Sequence, residues 1–190
     1  MVLSNIQIVD ALNRGFFSID NLAGSDPQEK PFNTSAVDLQ LGDEIVIPRV
    51  ADHPVQLDLR KPNIAAFWAA NSEKRKLYSD QPFALKPNQF VLANTREKVS
   101  FPLDKEKCYS ARVEGKSSLA RCGMLIHFTA PTIHAGFSGP ITLEMINLGP
   151  MEFLLYPSMF ICQLIIEEVS GSPLEAPNQF KGQKNVVGQT

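Results

Sequence analysis

Short apolar runs, each closed by turn residues, set the limits on what this chain can fold into. AVDLQL at 36–41, EIVIP at 44–48, FVLANT at 90–95, MLIHFT at 124–129, ITLEMIN at 141–147, MEFLLY at 151–156 and FICQLIIEEV at 160–169 are rich in β-branched or aromatic residues and bounded by Pro, Gly, Asn or Asp. Fourteen prolines and eleven glycines, spread along the chain, break long helices and supply turns. The prediction is an all-β domain with a short N-terminal helix. Ser4 caps that helix, Gln7 completes a capping box, Ile8, Ala11 and Leu12 share a face, and Gly15 ends it. Residues 64–78, IAAFWAANSEKRKLY, fit either a second short helix or a loop with an exposed aromatic cluster.

With 190 residues and 44% hydrophobic content, the chain can bury one sizeable core, assigned to residues 1–169. From Ser170 to Thr190 the composition turns polar and aperiodic, which fits either a frayed terminus or a flap closing over a ligand. Eighteen Lys and Arg against twenty Asp and Glu give no basic field for nonspecific nucleic-acid binding, although a few local cations suffice for a small anion. The opening MVLSNIQIVDALNRG has no basic segment followed by a long apolar run, and no stretch approaches the ~20 apolar residues of a membrane span. The expectation is a cytoplasmic protein without a membrane partner. Cys108, Cys122 and Cys162 are widely spaced and odd in number, which argues against a disulfide framework or structural zinc and for small buried or half-buried hydrophobes.

Chemistry concentrates between residues 111 and 149. GKSSLAR at 115–121 places a glycine, two hydroxyls and two cations ahead of an apolar run. Lys116 and Arg121 can bind phosphate oxygens and Ser117 and Ser118 can donate to them, yet a solvated polar turn has the same composition. It is not a Walker A loop, because GxxxxGK[ST] is absent. Glu144 interrupts the apolar strand ITLEMIN, sharing a face with Thr142 and Ile146 while Ile141, Leu143 and Met145 point the other way. It lies either on a solvent face or in a buried setting that raises its pKa toward neutrality and suits it to proton transfer. His127 and His134 lack the further ligands of a zinc site, and His127 reads as a hydrogen-bonded histidine within a sheet.

The run EGKSSLARCGMLIHFTAPTIHAGFSGPITLEMINLG resembles the core of the dCTP deaminase family, within the superfamily of trimeric dUTPases. TSAVDLQLG at 34–42, ALKPNQFVLANTREKVSFP at 84–102 and LLYPSMFICQLIIEEVSG at 154–171 are similar to further family motifs, so nearly the whole chain is covered. The resemblance implies a distorted, jelly-roll-like β-barrel of dUTPase type, assembled as a homotrimer with active sites at subunit interfaces. It implies dCTP or dUTP as ligands, Mg2+ carried on the triphosphate, no catalytic zinc, and dTTP as a candidate inhibitor. By the same resemblance Lys116, Ser117, Ser118, Leu119, Ala120 and Arg121 form the phosphate and catalytic loop. Glu144 is the proton-transferring carboxylate, Ala130 offers its carbonyl to the attacking water, and Thr142 and Leu143 line the base pocket. In the tail NQFKGQK, Gln179 and Gln183 fall in the nucleotide-closing element, with Gln179 at the usual lysine place.

One substitution bears on the reaction. His134, in IHAGFSG, stands where the family carries an Asp that contacts the deoxyribose 3′-hydroxyl and, in dUTPases, positions the hydrolytic water. Histidine can hydrogen-bond a hydroxyl but cannot serve as that carboxylate. The expectation is therefore deamination of dCTP to dUTP and ammonia. A bifunctional path to dUMP and pyrophosphate, and a nucleotide-binding trimer without turnover, are the alternatives.

Overall fold

The structure is a computed structural model, which describes residues 1–49, 56–58, 60 and 64–176. In chain order its elements are α1 (Asn5–Asn13), β1 (Ser18–Asp20), β2 (Phe32–Asn33), β3 (Ala36–Pro48), α2 (Ile64–Asn71), β4 (Ser72–Lys76), β5 (Phe83–Leu85) and β6 (Phe90–Ser100). Then follow β7 (Tyr109–Gly115), α3 (Ser117–Ala120), β8 (Met124–Ile126), β9 (Thr132–Ile133), β10 (Ser138–Asn147), β11 (Phe153–Leu155) and β12 (Phe160–Glu168).

Helix α1 starts as its sequence dictates. Ser4 accepts from the Gln7 amide, the Gln7 side chain accepts from the Ser4 amide, and Gly15 beyond the last turn has φ +67°. Ile8 and Ala11 are buried, fixing the helix against the sheet.

The two runs at 36–41 and 44–48 form the single strand β3, continuous through Gly42. A Cβ at residue 42 would stand 2.5 Å from the Asn94 side-chain oxygen, so only glycine lets β3 pass this close to β6. β3 pairs with β12 through its first half and with β6 and β4 through its second, and this change of partner curls the sheet. The strand order is β8-β10-β6-β3-β12-β7-β9, with β1 on β6 and β2 and β4 on β3; β11 and β5 form a separate ribbon. The result is an all-β, curled half-barrel. Its concave side is filled by residues such as Leu39, Phe101, Ile141, Leu143, Met145 and Leu164, each fully or almost fully buried and each stabilising the fold by roughly 1.5–3 kcal/mol.

Several boundaries differ from expectation. Residues 64–78 divide into α2 and the edge strand β4. The run at 124–129 stops as a strand at Ile126, because His127 takes φ +64°. Only residues 153–155 of the run at 151–156 pair. Strand β7, which no apolar run announced, pairs with β12 along its whole length. Cys108 and Cys162 are buried as expected, whereas Cys122 is exposed; all three are free. Residues 170–176 contain no helix or strand, and Gln179 and Gln183 lie outside the described residues. Among the described residues no helix is long and apolar enough to cross a membrane.

The interior also holds acids. Glu97 on β6 is fully buried, one carboxylate oxygen accepting the Gln40 amide at 2.9 Å and the other without a partner among the described residues. Burial pushes its pKa up to about 6. An acid whose folded pKa is raised loses stability as pH rises from its unfolded value to its folded one. Glu97 should therefore cost about 2 kcal/mol above pH 6 relative to its neutral form. Urea unfolding of Glu97→Gln should show a stability gain over wild type at pH 8 that shrinks toward pH 4; a pH-independent difference contradicts this account.

Candidate active site

Strand β10 sorts its side chains by alternation. Ile141, Leu143 and Met145 are buried in the core, and Thr142, Glu144 and Ile146 occupy the half-buried opposite face. The carboxylate thus projects from a rigid strand paired on one side with β6 (Glu144 opposite Leu92) and, from Met145 onward, with β8 on the other. Glu144 keeps 33% of its side chain exposed, so it is neither on an open solvent face nor sealed in the core.

The His127 amide donates to the Glu144 carbonyl at 2.8 Å, the last rung between the two segments. The backbone then turns through the left-handed region and brings the imidazole, only 6% exposed, over the carboxylate. Nδ1 stands 2.6 Å from a Glu144 carboxylate oxygen, an ion-pair distance without hydrogen-bond alignment, and Nε2 stands 2.8 Å from the Ala130 carbonyl. A carbonyl only accepts, so Nε2 carries hydrogen, and Nδ1 facing a carboxylate favours the doubly protonated ring. Burial alone would lower the pKa of His127, but Glu144 and the Ala130 carbonyl outweigh it and raise the value above the ordinary one. The two groups expected to hold the attacking water are both present, and an imidazole bridges them. His127 lies just beyond the strand rather than inside the sheet.

The GKSSLAR segment forms one turn of helix, α3, packed beside β8. Ser117, Ser118, Ala120 and Arg121 are exposed, and Leu119 is half-buried against the core. Among the described residues no hydrogen bond or ion pair engages the Arg121 side chain, and none joins Ser117 or Arg121 to the Glu144 side chain. Lys116 turns inward instead. Its ammonium lies 2.5 Å from Asp38, a β3 carboxylate with no exposed side-chain surface. The Lys30 ammonium lies 2.5 Å from the same oxygen, and Asn33 donates to the other at 2.8 Å. Burial would raise the Asp38 pKa, but these partners, Lys116 foremost, hold it below the usual carboxylate range.

The Leu143 side chain is buried in the core by alternation, so only its main chain faces the Glu144 side of the strand. Thr142 lies on the Glu144 face, and His134 is exposed in the turn after β9. Sequence reasoning missed His127 as the partner of Glu144 and Asp38 as the partner of Lys116. Asp38 carried a usable signal, a carboxylate inside an apolar strand, the same signal that picked out Glu144.

The chain is similar to known proteins along most of its length. The family model described as dCTP deaminase-like matches residues 2–169. A protein of Methanobrevibacter smithii named "dCTP deaminase, dUMP-forming" is 36% identical over 176 residues, 93% of this chain and 84% of that one. A protein of Methanothermobacter thermautotrophicus with the same name is 35% identical over 190 residues, covering 100% and 90%. A protein of Natronomonas pharaonis named "dCTP deaminase" is 34% identical over 197 residues, covering 100% and 91%. Among solved structures, the 2′-deoxycytidine 5′-triphosphate deaminase of Agrobacterium tumefaciens superposes with a TM-score of 0.65 at 18% identity. The match takes in 89% of this chain and 48% of that one, about half its length, and bears on the fold alone. A half-barrel that sets a strand-borne carboxylate opposite a loop carbonyl, matched over residues 2–169, places this chain in the dCTP deaminase-like family.

Proposed function

We propose that this protein deaminates dCTP at C4 and carries the product on to dUMP and pyrophosphate. The placing of Glu144 and the Ala130 carbonyl around one imidazole, 2.6 and 2.8 Å from its two nitrogens, supports the deamination, because a proton-accepting carboxylate and a carbonyl acceptor face the same site. Glu144 takes a proton as the water attacks C4 and delivers it to N3, then carries the proton of the new C4 hydroxyl to the amine, which leaves as ammonia. Arg121 supplies positive charge beside the tetrahedral centre, and Ser117 holds the water from a third side. Neither is hydrogen-bonded or ion-paired to the Glu144 side chain within one chain, and in this reading they come from a neighbouring subunit of a homotrimer. Leu125 and Phe128, flanking the site and each 40% exposed, supply apolar surface for such a contact.

Lys116 fits a triphosphate. In this reading Mg2+ would be carried by the triphosphate and would supply charge neutralisation there.

The second step follows the names of the relatives from Methanobrevibacter and Methanothermobacter, which put the dUMP-forming path ahead of the sequence expectation that reaction stops at dUTP. A second reading retains that stop. It is favoured by His134, an exposed imidazole in the turn after β9 where the family's water-positioning carboxylate would be. Chromatography of products from dCTP with Mg2+ separates them: pyrophosphate and dUMP in step with ammonia support the first, dUTP accumulation the second, and intact dCTP refutes both.

His127 makes the rate depend on pH. While protonated, the ring pairs with Glu144 and fills the place of the water. Its raised pKa means that this contact is complete below the ordinary histidine value and is lost as pH rises through the folded value. The value of kcat/KM should rise across that limb, and His127→Gln should flatten it. A limb unchanged in the variant would remove His127 from the account.

A further inference from the structure

The cationic centre beside the catalytic loop is larger than the 115–121 segment. Lys30, on the loop before β2, and Lys116, at the start of α3, each place an ammonium 2.5 Å from one Asp38 oxygen. The two nitrogens can therefore be no farther apart than twice that distance. One carboxylate cannot neutralise both, and Asn33, the remaining partner of Asp38, is uncharged. The cluster carries one uncompensated positive charge.

Its exposure is graded. The Asp38 side chain has no accessible surface, Lys116 keeps 20% and Lys30 keeps 56%. The negative charge is thus sealed beneath its two cations, and the outer side of Lys30 meets solvent. The loop is held in place, because the Asp38 amide donates to the Pro31 carbonyl at 2.8 Å and Lys30 also donates to the Asn33 side chain at 3.1 Å. Two neighbouring ammoniums repel each other, and an oligophosphate with several charged oxygens bridging them relieves that repulsion.

We propose that Lys30 is a second phosphate contact, forming with Lys116 a two-cation seat for the triphosphate, and that Asp38 is the positioning residue that spaces the two. The proposal rests on the triphosphate reading above and adds to it a residue 86 positions away from the catalytic loop's first cation.

Inorganic tripolyphosphate tests the seat without requiring turnover. Calorimetric titration of the full chain should show binding by wild type, about tenfold weaker binding by Lys30→Gln and near wild-type binding by Lys30→Arg. Lys74→Gln, which removes the same charge from exposed strand β4, should stay within about twofold of wild type, the residual effect of net charge. With dCTP, Lys30→Gln should raise KM and leave kcat unchanged. Lys30→Gln binding as tightly as wild type, or weakening matched by Lys74→Gln, overturns the proposal, as does a wild type that does not bind tripolyphosphate. A wild type that binds tripolyphosphate in this Lys30-dependent way but leaves dCTP intact overturns the deaminase reading and supports the seat.

Discussion

Replacing Glu144 by Gln should lower ammonia release from dCTP by at least about a thousandfold, because the amide can neither accept the water's proton nor return it to N3 and the amine. The change is close to isosteric but removes the carboxylate partner of His127, so stability should fall below the folded pKa of His127 and approach wild type above it. Binding of dCTP should survive, since the phosphate contacts lie elsewhere. Ser117→Ala should cost about a hundredfold, as one water contact among several is lost. Together these variants test the shared-site reading. If the two residues come from neighbouring subunits, co-expressed Glu144→Gln and Ser117→Ala chains, in a ring of head-to-tail contacts, would form intact sites in about a quarter of their interfaces. Recovery to that level places the two residues on different subunits. No recovery, with mixed assembly verified, means that one chain supplies both and that α3 must move toward β10.

What could be seen in the residues beforehand follows from the range of the forces involved. The helix preface was legible because a capping box acts over three residues, and the Glu144 face was legible because strand alternation acts over two. Strand β7 was missed although Tyr109, Ala111 and Val113 do alternate inward; Ser110, Arg112 and Glu114 between them hid an apolar run that only pairing with β12 makes a strand. The end of β8 was misplaced for another reason. MLIHFT has strand propensity throughout, but the left-handed backbone at His127 serves a contact to Glu144 that lies 17 residues on. The Asp38 cluster was invisible for the same reason, since its three charged members come from β3, the loop before β2 and the start of α3. Local periodicity reports which face a residue occupies; it does not report which distant charge meets it there.

Asp38→Asn should be the most destabilising single change in the site. Removing one partner from a buried ion pair costs about 3–5 kcal/mol, and solvent at the half-exposed Lys30 and the partly exposed Lys116 reduces that to about 2 kcal/mol. The pH dependence has a definite sign. A carboxylate with a depressed folded pKa contributes stability that is present above its unfolded value, ~3.9, and is lost as pH falls through the folded one. Urea midpoints of wild type and Asp38→Asn should therefore differ at pH 7 and converge as the acid range is entered. The effect on ligand distinguishes positioning from charge. If Asp38 merely subtracted from the positive field, its loss would tighten tripolyphosphate binding by leaving two unopposed ammoniums. If it holds them at the spacing the phosphates need, binding should weaken several-fold even though the cluster has become more positive. The geometry favours weakening, because the carboxylate is fixed on a paired central strand and two lysine stems without it are free to separate. Tighter binding by Asp38→Asn would leave Asp38 as a counter-charge only.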